Sequence, residues 1–114
     1  MEKEEVLDDL YYKKRRNRYV LEDTEDQIRR NDKTTEEVFS FSSVCLNFFD
    51  ELWIRYEQNS IRYEAEENLS EFKYFHHRFE EDLMDEKEEW AKKKNELLEE
   101  ETQICHEINK MECE

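Results

Sequence analysis

Apolar residues return every seven positions through residues 69–111, and nothing else in the chain constrains its fold as tightly. The row reads Leu69, His76, Leu83, Trp90, Leu97, Ile104 and Met111, six of the seven apolar in a stretch otherwise dominated by Glu, Asp, Lys and Arg. A second row, Ala65, Phe72 and Phe79, runs four residues ahead of the first and then turns polar at Glu86, Lys93, Glu100 and Glu107. A sustained seven-residue apolar repeat in a charged background marks a helix with one narrow seam, which requires another helix to lie against.

The first half of the chain supplies a candidate. Its frame is Leu7, Lys14, Leu21, Ile28, Thr35, Ser42 and Phe49, with a companion row Leu10, Asn17, Thr24, Asn31, Val38, Cys45 and Leu52. Several positions are polar, yet the frame holds its phase. Two weak spots interrupt the helical pattern. Residues 31–35 lead into a Thr34-x-x-Glu37 capping box, a sequence-level helix start, and Ser40-Phe41-Ser42-Ser43 spans 40–43. Both read as bends or local fraying within one arm.

The two frames are out of step by one residue, and the slip falls on Gln58-Asn59-Ser60, residue types that favour turns and caps. A turn near 57–60 predicts an all-α fold, a long antiparallel helical hairpin or two-helix coiled coil. One domain spans 1–114, with a first arm over 1–57 and a second over 60–112, each arm ~85 Å long at about 1.5 Å per residue. The chain contains no Gly and no Pro, so other sharp breaks are not expected. Strong helix formers dominate, and 45 % of residues are charged against 36 % apolar, which leaves no thick globular core. Disorder is the competing reading of such charge. Thirteen Phe and Tyr, two Trp and a maintained period argue against it.

A turn centred near Asn59 brings together residues whose numbers sum to about 118. The seams then meet in layers, Leu7 with Met111, Leu21 with Leu97, Ile28 with Trp90 and Phe49 with Leu69. Companion layers pair Val38 with Phe79, Cys45 with Phe72 and Leu52 with Ala65, and polar ones pair Asn17 with Glu100, Thr24 with Lys93 and Asn31 with Glu86. The basic block at 13–18 falls opposite Glu99, Glu100 and Glu101, and the acidic block at 22–26 opposite Lys92, Lys93 and Lys94. Flanking pairs of this kind contribute a few tenths of a kcal/mol each and chiefly select register. Glu36 and Glu37 opposite Glu80 and Glu81 are a mismatch that the hairpin alone does not explain.

Charge and cysteine usage exclude several functions. A net charge of −15 repels nucleic acid and anionic membrane surfaces. No apolar run approaches the roughly 20 residues of a membrane span, and MEKEEVLDD lacks the basic start and apolar core of a secretory signal. Three cysteines without framework spacing point to reduced thiols and a cytoplasmic protein. Cys105 and Cys113 lie eight residues apart on a helix, ~12 Å along its axis, too far to share one ion at Zn–S bonds of about 2.3 Å. Cys45 falls opposite the region of Phe72 and His76. A two-ligand site and a buried thiol beside a seam histidine are the two readings of it, and the second is the commoner arrangement. No catalytic, metal or cofactor site is expected, since a two-helix fold offers no enclosed pocket to shift a pKa.

Aromatic residues carry the functional signal. All seven Phe lie between positions 39 and 79. The seam, comprising Leu21, Ile28, Val38, Phe49, Leu69, Phe72, Phe79, Leu83, Trp90, Leu97 and Ile104, absorbs three of them. Phe39, Phe41, Phe48, Trp53, Tyr56, Tyr74 and Phe75 are left over. Scattered surface aromatics are the plain alternative, but so many together point to a partner surface. The half carrying the termini looks too thin in core to hold its arms unaided.

Size, hairpin layout, the Phe48-Phe49-x-x-Leu52-Trp53 region and the tail Phe79-x-x-x-Leu83…Glu88-Glu89-Trp90…Leu97-Leu98-Glu99-Glu100-Glu101 carry a resemblance over most of the chain. It resembles the small acidic helical-hairpin proteins encoded beside LXG toxins of the Gram-positive type VII secretion system, which act as targeting partners for those toxins. The chain lacks the Trp-x-Gly turn of ordinary WXG-type secreted proteins. The resemblance implies binding to the helical N-terminal domain of a toxin, together with a second small helical protein, and presentation of a secretion-competent bundle, with export alongside that partner left open. A stalk, scaffold or homodimeric coiled coil of another secretion or motility complex is the other class that fits, as is an interaction module of an unrelated complex.

Overall fold

The computed structural model describes residues 2–55 and 61–113. These form two helices, α1 over Glu2–Arg55 and α2 over Ile61–Glu112, with no strand among the described residues. The fold is an all-α helical hairpin. The turn expected at 57–60 lies outside the described residues. Each helix opens with acids in its first turn (Glu2, Glu4 and Glu5 in α1, Glu64 in α2) and closes with a base, Arg55 or Lys110, the distribution that complements a helix dipole.

Residues 31–35 and 40–43 are helical, so α1 runs through both weak spots without interruption. The reason lies in how the polar seam residues are satisfied. Thr24, Thr35 and Ser42 return their hydroxyl protons to carbonyls one turn back, Val20, Asn31 and Val38, each at 2.8 Å. A hydroxyl bonded within its own helix needs no partner across the seam. The Thr34-x-x-Glu37 box is passed over as a start signal because the preceding turn is already helical.

The chain divides into two compact units. A terminal unit combines Met1–Arg30 with Lys87–Glu114, and a central unit comprises Asn31–Glu86. In the terminal unit, Leu10, Ile104 and Ile108 form a buried cluster with Leu7 and Met111 packed on it, and Leu21 is fully buried. Burying each such side chain contributes roughly 2 kcal/mol. This half is therefore better closed than its alternation of apolar and polar layers suggested. Ion pairs flank it at the expected register, Arg18 Nη1 to Glu101 Oε2 at 3.5 Å and Lys94 Nζ to Glu25 Oε1 at 3.8 Å. Both are partly exposed and worth at most about 1 kcal/mol. Tyr11 donates to Glu112 Oε1, a bond that holds its phenol above the usual value.

The companion layers are not the expected polar pairs. Asn17 Nδ2 donates to the carbonyl of Leu97 at 2.9 Å, and in the central unit Asn31 Nδ2 donates to the carbonyl of Leu83 at 3.4 Å. Glu86, Lys93 and Glu100 are exposed, whereas Glu80, Lys94, Glu101 and Ile108 lie at least partly buried. The second row of α2 has moved one residue along. An ideal helix drifts about 20° per heptad against a strict seven-residue repeat, so the row containing Phe72 rotates outward and its neighbour rotates in. Phe79 is the casualty. It was expected in the seam and is 47 % exposed. Ile108, absent from that expectation, is among the most buried residues of the chain, and its place four residues after Ile104 was the available signal.

Candidate functional site

Within the central unit the expected seam residues Val38, Phe49, Leu69 and Phe72 are half-buried and Leu83 is buried. In the terminal unit Leu21 and Ile104 are buried, and Ile28, Trp90 and Leu97 half-buried. Phe49 meets Phe72 with ring centroids 6.0 Å apart. Phe72 in turn stacks on His76 at 5.7 Å with the rings 2° from parallel. That histidine is fixed at both nitrogens, Nδ1 lying 2.7 Å from Ser42 Oγ and Nε2 2.9 Å from Glu80 Oε1. One Ser42 proton serves two neighbours, the Val38 carbonyl and the ring. Which ring nitrogen donates and which accepts depends on the tautomer. Among the described residues no three or more His, Cys, Asp and Glu side chains are grouped to hold a metal ion. The three cysteines are free thiols.

Around this ordered ladder the aromatic residues expected at a partner surface are exposed. Phe39, Phe41, Phe48, Tyr74 and Phe75 are each more than half accessible, with Phe41 at 65 % and Phe75 at 63 %. Tyr56 lies outside the described residues. Trp53 is the least accessible of the set at 39 %, because the Arg62 guanidinium of α2 sits 4.0 Å from its ring centroid. Such a cation–π contact is worth about 0.5–1 kcal/mol at an exposed site. Trp53 is thus engaged in closing the hairpin and not simply left over from it. Phe48 rests edge-on against Phe49, and Tyr74 edge-on against Phe75.

Part of this exposed set converges on one feature. Phe41 on α1 and Phe75 and Phe79 on α2 face a shallow groove of ≈ 470 Å³, floored by Val38, Ser42, Phe72 and His76 and rimmed by Arg78 and Asp82. The loss of Phe79 from the seam is what makes the groove, since its ring now lines the outside of the hairpin. A surface of this kind can bind an apolar ridge. No helix of the described residues is long and apolar enough to cross a membrane. No family model matches the chain, and neither a curated protein nor a solved structure does.

Proposed function

We propose that the protein is a non-enzymatic helical adaptor that docks a helical segment of another protein against the aromatic face of its central unit. The observation that carries this reading is the groove between Phe41, Phe75 and Phe79 beside a seam that is already satisfied without them. Aromatic side chains exposed in a cluster favour association, because each supplies a large apolar area at low conformational cost. The resemblance to targeting partners of LXG toxins names the class of protein so bound. In that reading the hairpin holds the helical N-terminal region of a secreted toxin and promotes its recruitment to a type VII secretion system. A homodimeric scaffold is the alternative occupancy of the same face.

Co-expression with an LXG toxin N-terminal domain tests both. The expected result is a stoichiometric complex that Phe41→Ala with Phe75→Ala weakens by about a hundredfold or more, taking roughly 2 kcal/mol per hot-spot ring. Both side chains are exposed, so helix content by circular dichroism stays unchanged. A double variant that binds as tightly as the parent removes the aromatic face from the function. A chain that sediments alone at twice its 14.3 kDa mass makes it a homodimer.

A further inference from the structure

The acids around the groove specify the chemistry of what lies in it. The central unit holds fifteen acidic and five basic residues, a net charge of −10, so it carries most of the excess negative charge of the chain together with every phenylalanine. Acids flank the aromatic stripes of both helices, and one of them, Asp82, lines the groove itself. On α1, Glu37 lies one turn before Phe41 and Glu51 three residues after Phe48, all exposed on one stripe. On α2, Glu71 lies one turn before Phe75 and Asp82 three residues after Phe79, again exposed on one stripe. The contacts Ser42–His76 and Phe49–Phe72 fix the antiparallel register, which sets Glu37 at the same end as Asp82 and Glu51 at the same end as Glu71. On α1 an apolar stretch ~10 Å long is therefore closed by carboxylates ~21 Å apart, and on α2 a stretch ~6 Å long by carboxylates ~16 Å apart, at about 1.5 Å per helical residue.

We infer that the groove accepts a basic amphipathic helix from a partner protein, with apolar side chains at i, i+4 and i+7 between Lys or Arg residues about fourteen positions apart. The inference rests on the docking reading above and deepens it. Charge complementarity chooses this occupant over a second copy of the chain, which would bring another −10 unit to the same face. It also accounts for Glu36 and Glu37 facing Glu80 and Glu81. His76 and His77 take up Glu80 and Glu81 within α2 at 2.9 and 3.0 Å, while Glu36, Glu37 and Asp82 stay exposed to face a cation from outside. Like charges across a two-helix seam are a cost to the hairpin alone. Shared with a basic partner they become a selectivity device.

The test uses the full chain and three synthetic helical peptides with the same apolar core. One carries Lys at both ends, one carries Glu in place of Lys, and one has the core residues scrambled. Titration followed by fluorescence anisotropy is expected to rank the Lys peptide at least tenfold tighter than either of the others. Glu37→Lys with Asp82→Lys, which reverses the charge at one end only, should erase the preference between the Lys and Glu peptides. Glu89→Lys with Glu96→Lys, the same change of net charge in the terminal unit, should leave the ranking as it is. Equal binding of Lys and Glu peptides, or equal loss from both charge-swapped proteins, overturns the inference. If Phe41→Ala with Phe75→Ala abolishes toxin binding while the groove-end swap leaves it untouched, the docking face stands and only the basic chemistry fails. If the aromatic variant leaves toxin binding intact, the docking reading itself has failed.

Discussion

Asn17 and Asn31 stand fourteen residues apart on α1, and each reaches a carbonyl of α2 rather than a side chain. The two are not equally well served. The Asn17 bond is 2.9 Å, whereas that of Asn31 is 3.4 Å and its Oδ1 is buried without a partner in a residue only 6 % exposed. A buried polar atom left unpaired costs about 1–3 kcal/mol, and replacing it with an apolar group of similar shape can be neutral or stabilising. Asn31→Leu is therefore expected to raise the midpoint of thermal unfolding, and Asn17→Leu to raise it less or lower it. Calorimetry on the two variants decides this, and a larger gain at Asn17 would contradict the accounting. A leucine at either position fits several registers, while an amide aimed at one carbonyl fits one.

The elements themselves were legible from the repeat. Residues 7–49 of the first frame and 69–111 of the second all lie inward in the helices they predicted, because a period of seven in a chain without Gly or Pro admits few alternatives. The register was legible too, since Arg18 meets Glu101 and Lys94 meets Glu25 where the charge blocks placed them. What the repeat hid was the second row of α2. A strict count of sevens does not follow the slow drift of a 3.6-residue helix, so it places Phe79 inward and passes over Ile108. The groove depends on that drift, and its shape was not readable for the same reason, although its aromatic lining was. With Leu21 buried and Leu97 half-buried between the two ion pairs, Leu21→Cys with Leu97→Cys in a background without native cysteines is expected to crosslink within one molecule through a short thiol-reactive linker. Crosslinking between chains instead would mean that α1 and α2 pair across two copies.

Charge makes the free protein and its complex respond to salt in opposite directions. At net −15 the chain repels itself, and the cross-helix pairs Arg18–Glu101 and Lys94–Glu25, partly exposed and weak, offset little of this. Raising salt from about 10 to about 150 mM shortens the screening length from ~30 to ~8 Å. That distance is enough to damp repulsion along the helices while leaving the buried seam untouched. Relief of about 1 kcal/mol would lift the unfolding midpoint by about 5 °C in a domain of this size. A basic helix in the groove is held by the same carboxylates, so its affinity should fall over the same range as the ends of the groove are screened, mostly through slower association. Parallel thermal melts and peptide titrations across a salt series therefore read the two effects separately. The aromatic contacts set a floor to the loss, since screening does not weaken them, and Phe41→Ala with Phe75→Ala should lower that floor without changing the salt slope. A hairpin destabilised by salt would mean that its ion pairs outweigh its repulsion. Affinity indifferent to salt would mean that the acids at Glu37, Glu51, Glu71 and Asp82 do not touch the partner.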